Sequence, residues 1–449
     1  MRQTVWFTAL VCSICLEGLG RRYFPFIPGV VFYFLKDVVL LAGLFFFRPS
    51  TESRDSLRSL FRPFDKIVLV AVFWTVLEVF NPDQKSYILA LVGLRSYWLW
   101  WLAPLVIATA LRNSRHKDNA IYALLVLVGI ISMLATVQFM SPADSNVNMY
   151  AVWNGKEVYA ADMAVVESTG RARVASTFAF ITGFADFTIL IPALLLSLGL
   201  DAKSPNVRRG ALAGTLITAA VIPMSGSRST VVMGAAMFVL SLWTAGLFFT
   251  SIGRRILIGG IVGATLTVVA FPEAFAGLQS RFEDTEETTG RFELIARIVP
   301  PIALARFDYP PLGVGTGMQQ NARVAFGIGP SQWDIELEMG RYLVELGPFG
   351  FMLIWLAKLG LTVALFRAYR LLKRGGRRGS AAAALAYCGV TLPGNLGFDH
   401  YWQALYFTGC GFILSEVIAV QAVKRAASEV VAPVEASTSS ALAPRYDAA

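Results

Sequence analysis

The stretch "ALAGTLITAAVIPMSGSRSTVVMGAAMFVLSLWTAGLFF", Ala211–Phe249, holds one charged residue, Arg228, set among Gly226, Ser227 and Ser229 where one apolar run hands over to the next. Each run is close to the roughly 20 residues a helix needs to cross the hydrocarbon of a bilayer. The stretch therefore reads as two membrane spans joined by a tight polar turn, and the pattern extends in both directions. Apolar segments recur around 4–19, 26–47, 67–80, 88–110, 119–140, 174–199, 211–225, 230–250, 256–272, 346–366, 381–396 and 402–422. They predict an all-α polytopic membrane protein with about twelve transmembrane helices, the third and eleventh being short or interrupted. Composition agrees, since 449 residues that are 55% hydrophobic and 15% charged are too apolar for a soluble domain of this length.

The formal charge of +9 raises the question of nucleic acid, but the basic residues alternate by loop. Arg48, Arg54, Arg58, Arg62 and Lys66 share one loop, Arg112, Arg115 and Lys117 another, and Lys203, Arg208 and Arg209 a third. Arg254 and Arg255, then Arg367 to Arg378, then Lys424 and Arg425 continue the series. By the positive-inside rule these loops are cytoplasmic, both termini lie inside, and residues 141–172 and 273–345 form external loops. Arg21 and Arg22 depart from the pattern, which makes the first hairpin the weakest part of the topology. The first apolar stretch reads as a retained span and not a signal peptide, because Glu17 and the Arg21-Arg22 pair stand where a cleavage site is expected. Residues 1–425 make the membrane domain, and 426–449, small, polar and proline-containing, read as a disordered cytoplasmic tail. Cys12, Cys15, Cys388 and Cys410 all fall inside spans and read as small buried hydrophobes.

The informative charges are those on the external side. The longer loop carries Arg281, Arg291, Arg297, Arg306, Arg323 and Arg341 with no lysine, and the earlier one adds Arg171 and Arg173. Arginine's planar fork matches phosphate oxygens, so an all-arginine surface facing a bilayer points to a phosphorylated lipid. Ion pairing with Glu283, Asp284, Glu286, Glu287 and Glu293 is the competing reading, and it is preferred for Arg297, Arg306 and Arg323. Arg228 has no acid near it in sequence, and the helix that opens there offers free N–H groups and a positive dipole end to an anion. "GVGTG" lacks the lysine of a nucleotide loop and reads as a turn that folds the loop back on the membrane. In "WDIELEMGRYLVELGPFG", Asp334, Glu338, Arg341 and Glu345 share one helix face, read as solvated and ion-paired. Glu336 lies on the opposite, more apolar face, where a carboxylate with a raised pKa is a candidate base.

The outward "SGSRS", the loop motif "TGRFELIARIV", the turn "PLGVGTG" and "RYLVELGPFGF" occur in an order that resembles the family of O-antigen ligases and Wzy-type polysaccharide polymerases. The likeness covers about residues 170–366, and "FLKDVVLLAG" in the second span is also typical. It implies a metal-independent membrane glycosyltransferase of the GT-C type, without a cofactor, in the bacterial inner membrane. Its substrates would be a glycan donor carried on undecaprenyl pyrophosphate and a glycan acceptor, at the periplasmic face, with a chain-length regulator as partner. Where ligases of the family carry a histidine ahead of the glutamate of the "ELG" element, this chain has Glu336, which favours polymerase over ligase. The site expected from charge and likeness together has Arg228, Arg291, Arg281 and Arg341 on the pyrophosphate, with Glu336 first, and His400 or Asp399 second, as base. A flippase or transporter for the same lipid is the rival, and it would gather ionisable residues near mid-membrane in broken helices. By sequence Glu17, Lys36, Asp37, Glu78, Arg95, Asp186, Lys358 and Glu416 are scattered over seven spans, which speaks against it.

Overall fold

The computed structural model describes residues 2–153, 156–166, 169–283, 298–306, 308–320, 323, 328 and 337–440. Helix α1 (Arg2–Cys15) bends by 62° at Leu16 into α2 (Glu17–Tyr23). Then come α3 (Gly29–Phe46), α4 (Thr51–Phe61) and α5 (Asp65–Leu77), and α6 (Tyr87–Trp98), which passes through a 3-10 turn into α7 (Ala103–Ala110). Beyond α8 (Ser114–Met140), β1 (Met149–Trp153) pairs with β2 (Lys156–Tyr159) and, after the single turn α9 (Ala160–Met163), β3 (Val165–Val166) pairs with β4 (Arg171–Ala172). The rest is α10 (Ile181–Asp201), α11 (Pro205–Val221), α12 (Arg228–Thr244), α13 (Ser251–Ala270), α14 (Pro272–Glu283), α15 (Pro300–Arg306), α16 (Glu338–Arg374), α17 (Arg378–Thr391) and α18 (His400–Ser440).

Six of the described stretches are long and apolar enough to cross a membrane, and the bent α1–α2 pair makes a seventh. A helix accompanies every one of the sequence-read segments, but several are short. The third and eleventh are α5 and α17, of 13 and 14 residues, and α11 and α12 have 17 each. Val38, Leu41 and Phe45 of α3, and Ile258, Ile261, Leu266 and Val269 of α13, form apolar stripes that the bundle leaves uncovered. Water gives no reason for such stripes and hydrocarbon does, so this is the build of a helical membrane protein. The two small ladders are the departure from an all-helical chain. "MYAVWNGKEVY" accounts for the first, with an Asn-Gly pair between residues suited to strands.

α10 is the central helix, with 89% of its apolar window buried, and it packs against α11, α12, α17 and α18. Small residues permit the close approach: Ala381, Ala382, Ala383, Ala384 and Ala386 of α17 are all buried. One end of the bundle gathers the basic loops. There Asp201 accepts from the amides of Gly379 (3.0 Å) and Ser380 (2.7 Å), Lys117 pairs with Glu416 at 2.6 Å, and Arg367 donates to the Leu60 carbonyl at 2.9 Å. The other end carries the long connections, stitched by Val174 N–H to the Met224 carbonyl (3.3 Å), Asn81 to the Leu312 carbonyl (3.3 Å) and Arg171 to Glu273. The last bond holds the Glu273 carboxyl below its ordinary pKa. α18 continues as helix to Ser440, beyond Arg425 where the sequence reading ended the membrane domain, and residues 441–449 lie outside the described set.

Arg21 and Arg22, which broke the charge pattern, are internal ties of this end. Arg22, 2% exposed, donates to the carbonyls of Ser176 (2.7 Å) and Phe178 (2.6 Å), and Arg21 pairs with Glu17. Arg22→Met keeps the apolar stem but removes both bonds, leaving the Ser176 carbonyl with only Gln138 Nε2 at 3.3 Å and taking the arginine from the Phe178 carbonyl. Buried bonds from a charged donor contribute about 1.5–3 kcal/mol each, so the variant's melting temperature in detergent should fall by several degrees. An unchanged melting curve would remove this tie from the account.

Candidate functional site

The quoted turn is built from the backbone up. Residues Ile222–Ser225 close a 3-10 turn, Gly226 takes a left-handed φ of 61°, and Ser227 is extended, so that α12 opens on Arg228 itself. Glycine's tolerance of that conformation is what makes so sharp a reversal compatible with two apolar helices. Ser225 and Gly226 are buried and Arg228 half-buried. Arg173 lies on the same turn, its Nε 3.5 Å from the Ser225 carbonyl. Arg173 is thus tied to the turn that leads into α12; the sequence reading counted it among the external arginines without giving it a place in the site.

A second turn, residues 394–400, carries two of the expected site residues, Asp399 and His400, and is approached by a third, Arg341 of α16. Asn395 Oδ1 accepts the amides of Phe398 (3.0 Å) and Asp399 (3.1 Å), and Asp399 Oδ1 accepts those of Tyr401 (2.9 Å) and Trp402 (3.1 Å). Asp399 is thus the cap of α18, a structural duty that competes with work as a base. Arg341 lies over the Phe398 ring at 5.5 Å. His400 stands between the rings of Tyr33 (4.8 Å) and Tyr401 (4.0 Å), with Nε2 3.6 Å from Glu17 Oε2. Arg341, Asp399 and His400 thus converge on one turn, and Arg228 sits on the other. Arg291 and Glu336 lie outside the described residues, and of Arg281 only the backbone is described.

Behind His400 lies a buried ionic cluster. Glu17 Oε2 meets Lys36 Nζ at 2.7 Å, and Glu17 also binds Arg21. Arg95 reaches Asp37 Oδ2 through Nε (2.7 Å) and the Tyr33 hydroxyl through Nη1 (2.7 Å), and Trp100 donates to Asp37 Oδ1 at 3.1 Å. The cations of Lys36 and Arg95 each stand 4.6 Å from the Tyr33 ring centre. Glu17, Lys36, Asp37 and Arg95 are therefore gathered and not scattered, which corrects the sequence reading. They come from three helices whose order in the chain does not show their packing. Glu17 with Arg21 four residues on, inside an apolar stretch, was the available signal.

The face read as solvated turns inward. Glu345 is fully buried and accepts the amides of Gly317 (2.8 Å) and Gln319 (2.6 Å) and the Tyr97 hydroxyl (2.9 Å). Gly313, Gly315 and Gly317 of "GVGTG" all have left-handed φ, and a Cβ on Gly317 would stand 2.2 Å from the Leu89 carbonyl oxygen. The turn is a wedge between α6 and α16. Glu338, 7% exposed, binds Lys358 Nζ (2.8 Å), the Gly397 amide (2.6 Å) and the Tyr342 hydroxyl, and Lys358 also donates to the Gly394 carbonyl (2.8 Å). These bonds fix the turn that presents Asp399 and His400. Arg323 donates to the carbonyls of Met318 (2.9 Å) and Ile328 (3.3 Å), bonds to backbone that the acid-pairing reading did not foresee. Of Arg306 only the backbone is described, and Arg297 lies outside the described residues.

Among the described residues no three or more His, Cys, Asp or Glu side chains are grouped to hold a metal ion, and the four cysteines are free. No family model matches the chain, and no curated protein matches it.

Breaking a buried pair costs about 3–5 kcal/mol because the surviving charge stays desolvated. Glu338→Gln should therefore lower the amount of protein in the membrane and its melting temperature, and adding Lys358→Met should restore part of both. Wild-type behaviour of Glu338→Gln would return that carboxylate to the solvated face.

Proposed function

We propose that the chain is a metal-independent membrane glycosyltransferase of the polymerase type. It would have twelve passes and a GT-C architecture, and would lengthen glycans carried on undecaprenyl pyrophosphate at the outer face of the bacterial inner membrane. The observation that carries this reading is the Ile222–Arg228 turn, where a half-buried arginine opens a helix beside Arg173 in a protein with the build of a membrane bundle. A forked cation at a helix N-terminus suits a pyrophosphate, and it stabilises the charge that grows there as the sugar C1–O bond breaks.

In this scheme the acceptor hydroxyl attacks C1, its proton passes to a base, and undecaprenyl pyrophosphate leaves. Arg228 is the first ligand of the leaving group, with Arg341, Arg291 and Arg281 as the further arginines. Among the base candidates with described side chains, His400 is the better suited, since a ring nitrogen faces the Glu17 carboxylate while Asp399 is engaged as a cap. Glu336 keeps its place from sequence. Transfer to a lipid A-core or other acceptor, as in a ligase, uses the same leaving group. Transport of the lipid-linked glycan is the second reading, and the cluster of Glu17, Lys36, Asp37 and Arg95 beside the break between α1 and α2 is the observation in its favour.

Arg228→Lys keeps the charge and loses the fork, so polymer made in cells lacking the native gene should drop at least about tenfold, with normal protein in the membrane. Arg306→Lys should leave polymer length and amount near wild type. Equal behaviour of the two variants would sink the pyrophosphate assignment and leave Arg228 as an interfacial anchor.

A further inference from the structure

The basic end of the bundle holds a feature that glycan transfer does not use. α4 is capped by Ser50, whose hydroxyl accepts the Ser53 amide at 3.2 Å, and it is amphipathic. Leu57, Leu60 and Phe61 face the bundle, while Arg54 and Arg58, one turn apart, are exposed. Beneath them lies a cavity of about 950 Å³, continued by Val68 and Val72 of α5, the α6–α7 segment from Leu91 to Leu105, and faces of α16 and α18.

The lining is apolar except at its ends. Arg54, Arg58 and Asp65 stand at one and Arg95 at the other. Arg95 is engaged by Asp37 and Tyr33. Arg58 and Asp65 are 3.8 Å apart, with the arginine side chain 70% exposed, so two cations face one carboxylate at the α4 end. The side of the cavity is open, since Leu41, Leu69 and Leu91 are 49%, 68% and 58% exposed. The α6–α7 segment from Leu91 to Leu105, at about 1.5 Å per residue, rises about 21 Å, more than the roughly 15 Å that half a hydrocarbon core of about 30 Å supplies. An apolar space of this size beside fluid hydrocarbon favours entry of acyl chains, because its walls lack dispersion partners until chains enter.

We propose that this cavity binds a diacyl anionic phospholipid, with its acyl chains between α4, α5, α6, α16 and α18 and its headgroup phosphate on Arg54 and Arg58. The α4 end lies opposite to the turns that carry Arg228 and His400, so the phospholipid would occupy a place separate from the glycan donor. Its chains would also cover the Arg95–Asp37 pair from the bilayer side. The proposal requires only that the chain sits in a membrane, and it stands whether the protein transfers glycans or moves them.

The test uses the full chain reconstituted into nanodiscs of equal phosphatidylcholine and phosphatidylglycerol, extracted gently and weighed with bound lipid by native mass spectrometry. Wild type should keep one phosphatidylglycerol in preference to phosphatidylcholine by about tenfold, about 1.4 kcal/mol. Arg54→Gln with Arg58→Gln, both on exposed side chains, should bring the two lipids to parity without changing the elution profile. Equal retention by wild type, or undiminished preference in the double variant, would overturn the proposal. Displacement of the phospholipid by an equimolar polyprenyl phosphate would overturn it too, by making the cavity the seat of a prenyl chain.

Discussion

A charge inside the hydrocarbon of a bilayer is costly unless another charge or a hydrogen-bonding group meets it, and this chain is organised around that constraint. Glu17 meets Lys36, Asp37 meets Arg95 and Glu338 meets Lys358. Each pair joins separate helices. Apolar contact alone discriminates poorly among helices in lipid, because a lipid tail is as good a neighbour for leucine as another helix is. The pairs decide which helices are adjacent. Arg22 does the same with backbone, tying the bent α1–α2 pair to residues 176–178.

The two turns that carry the candidate site inherit their positions from these bonds. Residues 394–400 are held because Glu338 takes the Gly397 amide and Lys358 the Gly394 carbonyl. The glycine wedge is held because Glu345 takes two of its amides. Carboxylates that looked like candidates for surface pairing are thus the supports of the loop end, and His400 and Arg341 are presented by them. The approach of Arg173 to the turn before α12 depends on different contacts, those of Arg173 and Val174 with the carbonyls of Ser225 and Met224.

The helices were legible in the sequence because a run of apolar residues has few other uses, and even the shortness of α5 and α17 could be read. What spacing cannot show is which way a helix face looks. Glu338, Arg341 and Glu345 do share a face, as i, i+3 and i+7 require. In a soluble protein the polar face meets water, whereas here it meets Lys358, Tyr97 and the glycine wedge, because the lipid side must be the apolar one. Gathering of Glu17, Lys36, Asp37 and Arg95 was hidden for a related reason, since it depends on the packing of α2, α3 and α6 and not on any local pattern. The pairing of β1 with β2 is legible in the Asn-Gly of "MYAVWNGKEVY", which lies between residues suited to strands.

The buried ionic cluster keeps transfer and transport in competition, because a broken helix with charges beside it suits a moving substrate and a histidine facing a carboxylate suits a proton acceptor. One reconstitution separates them. Purified protein in sealed vesicles would be given undecaprenyl pyrophosphate bearing a short glycan, and both the length of the lipid-linked glycan and its leaflet would be followed. Glycosyl transfer predicts lipid-linked products of doubled and greater length, with undecaprenyl pyrophosphate released for each new linkage. Glycan of unchanged length, moved from one leaflet to the other, would contradict it.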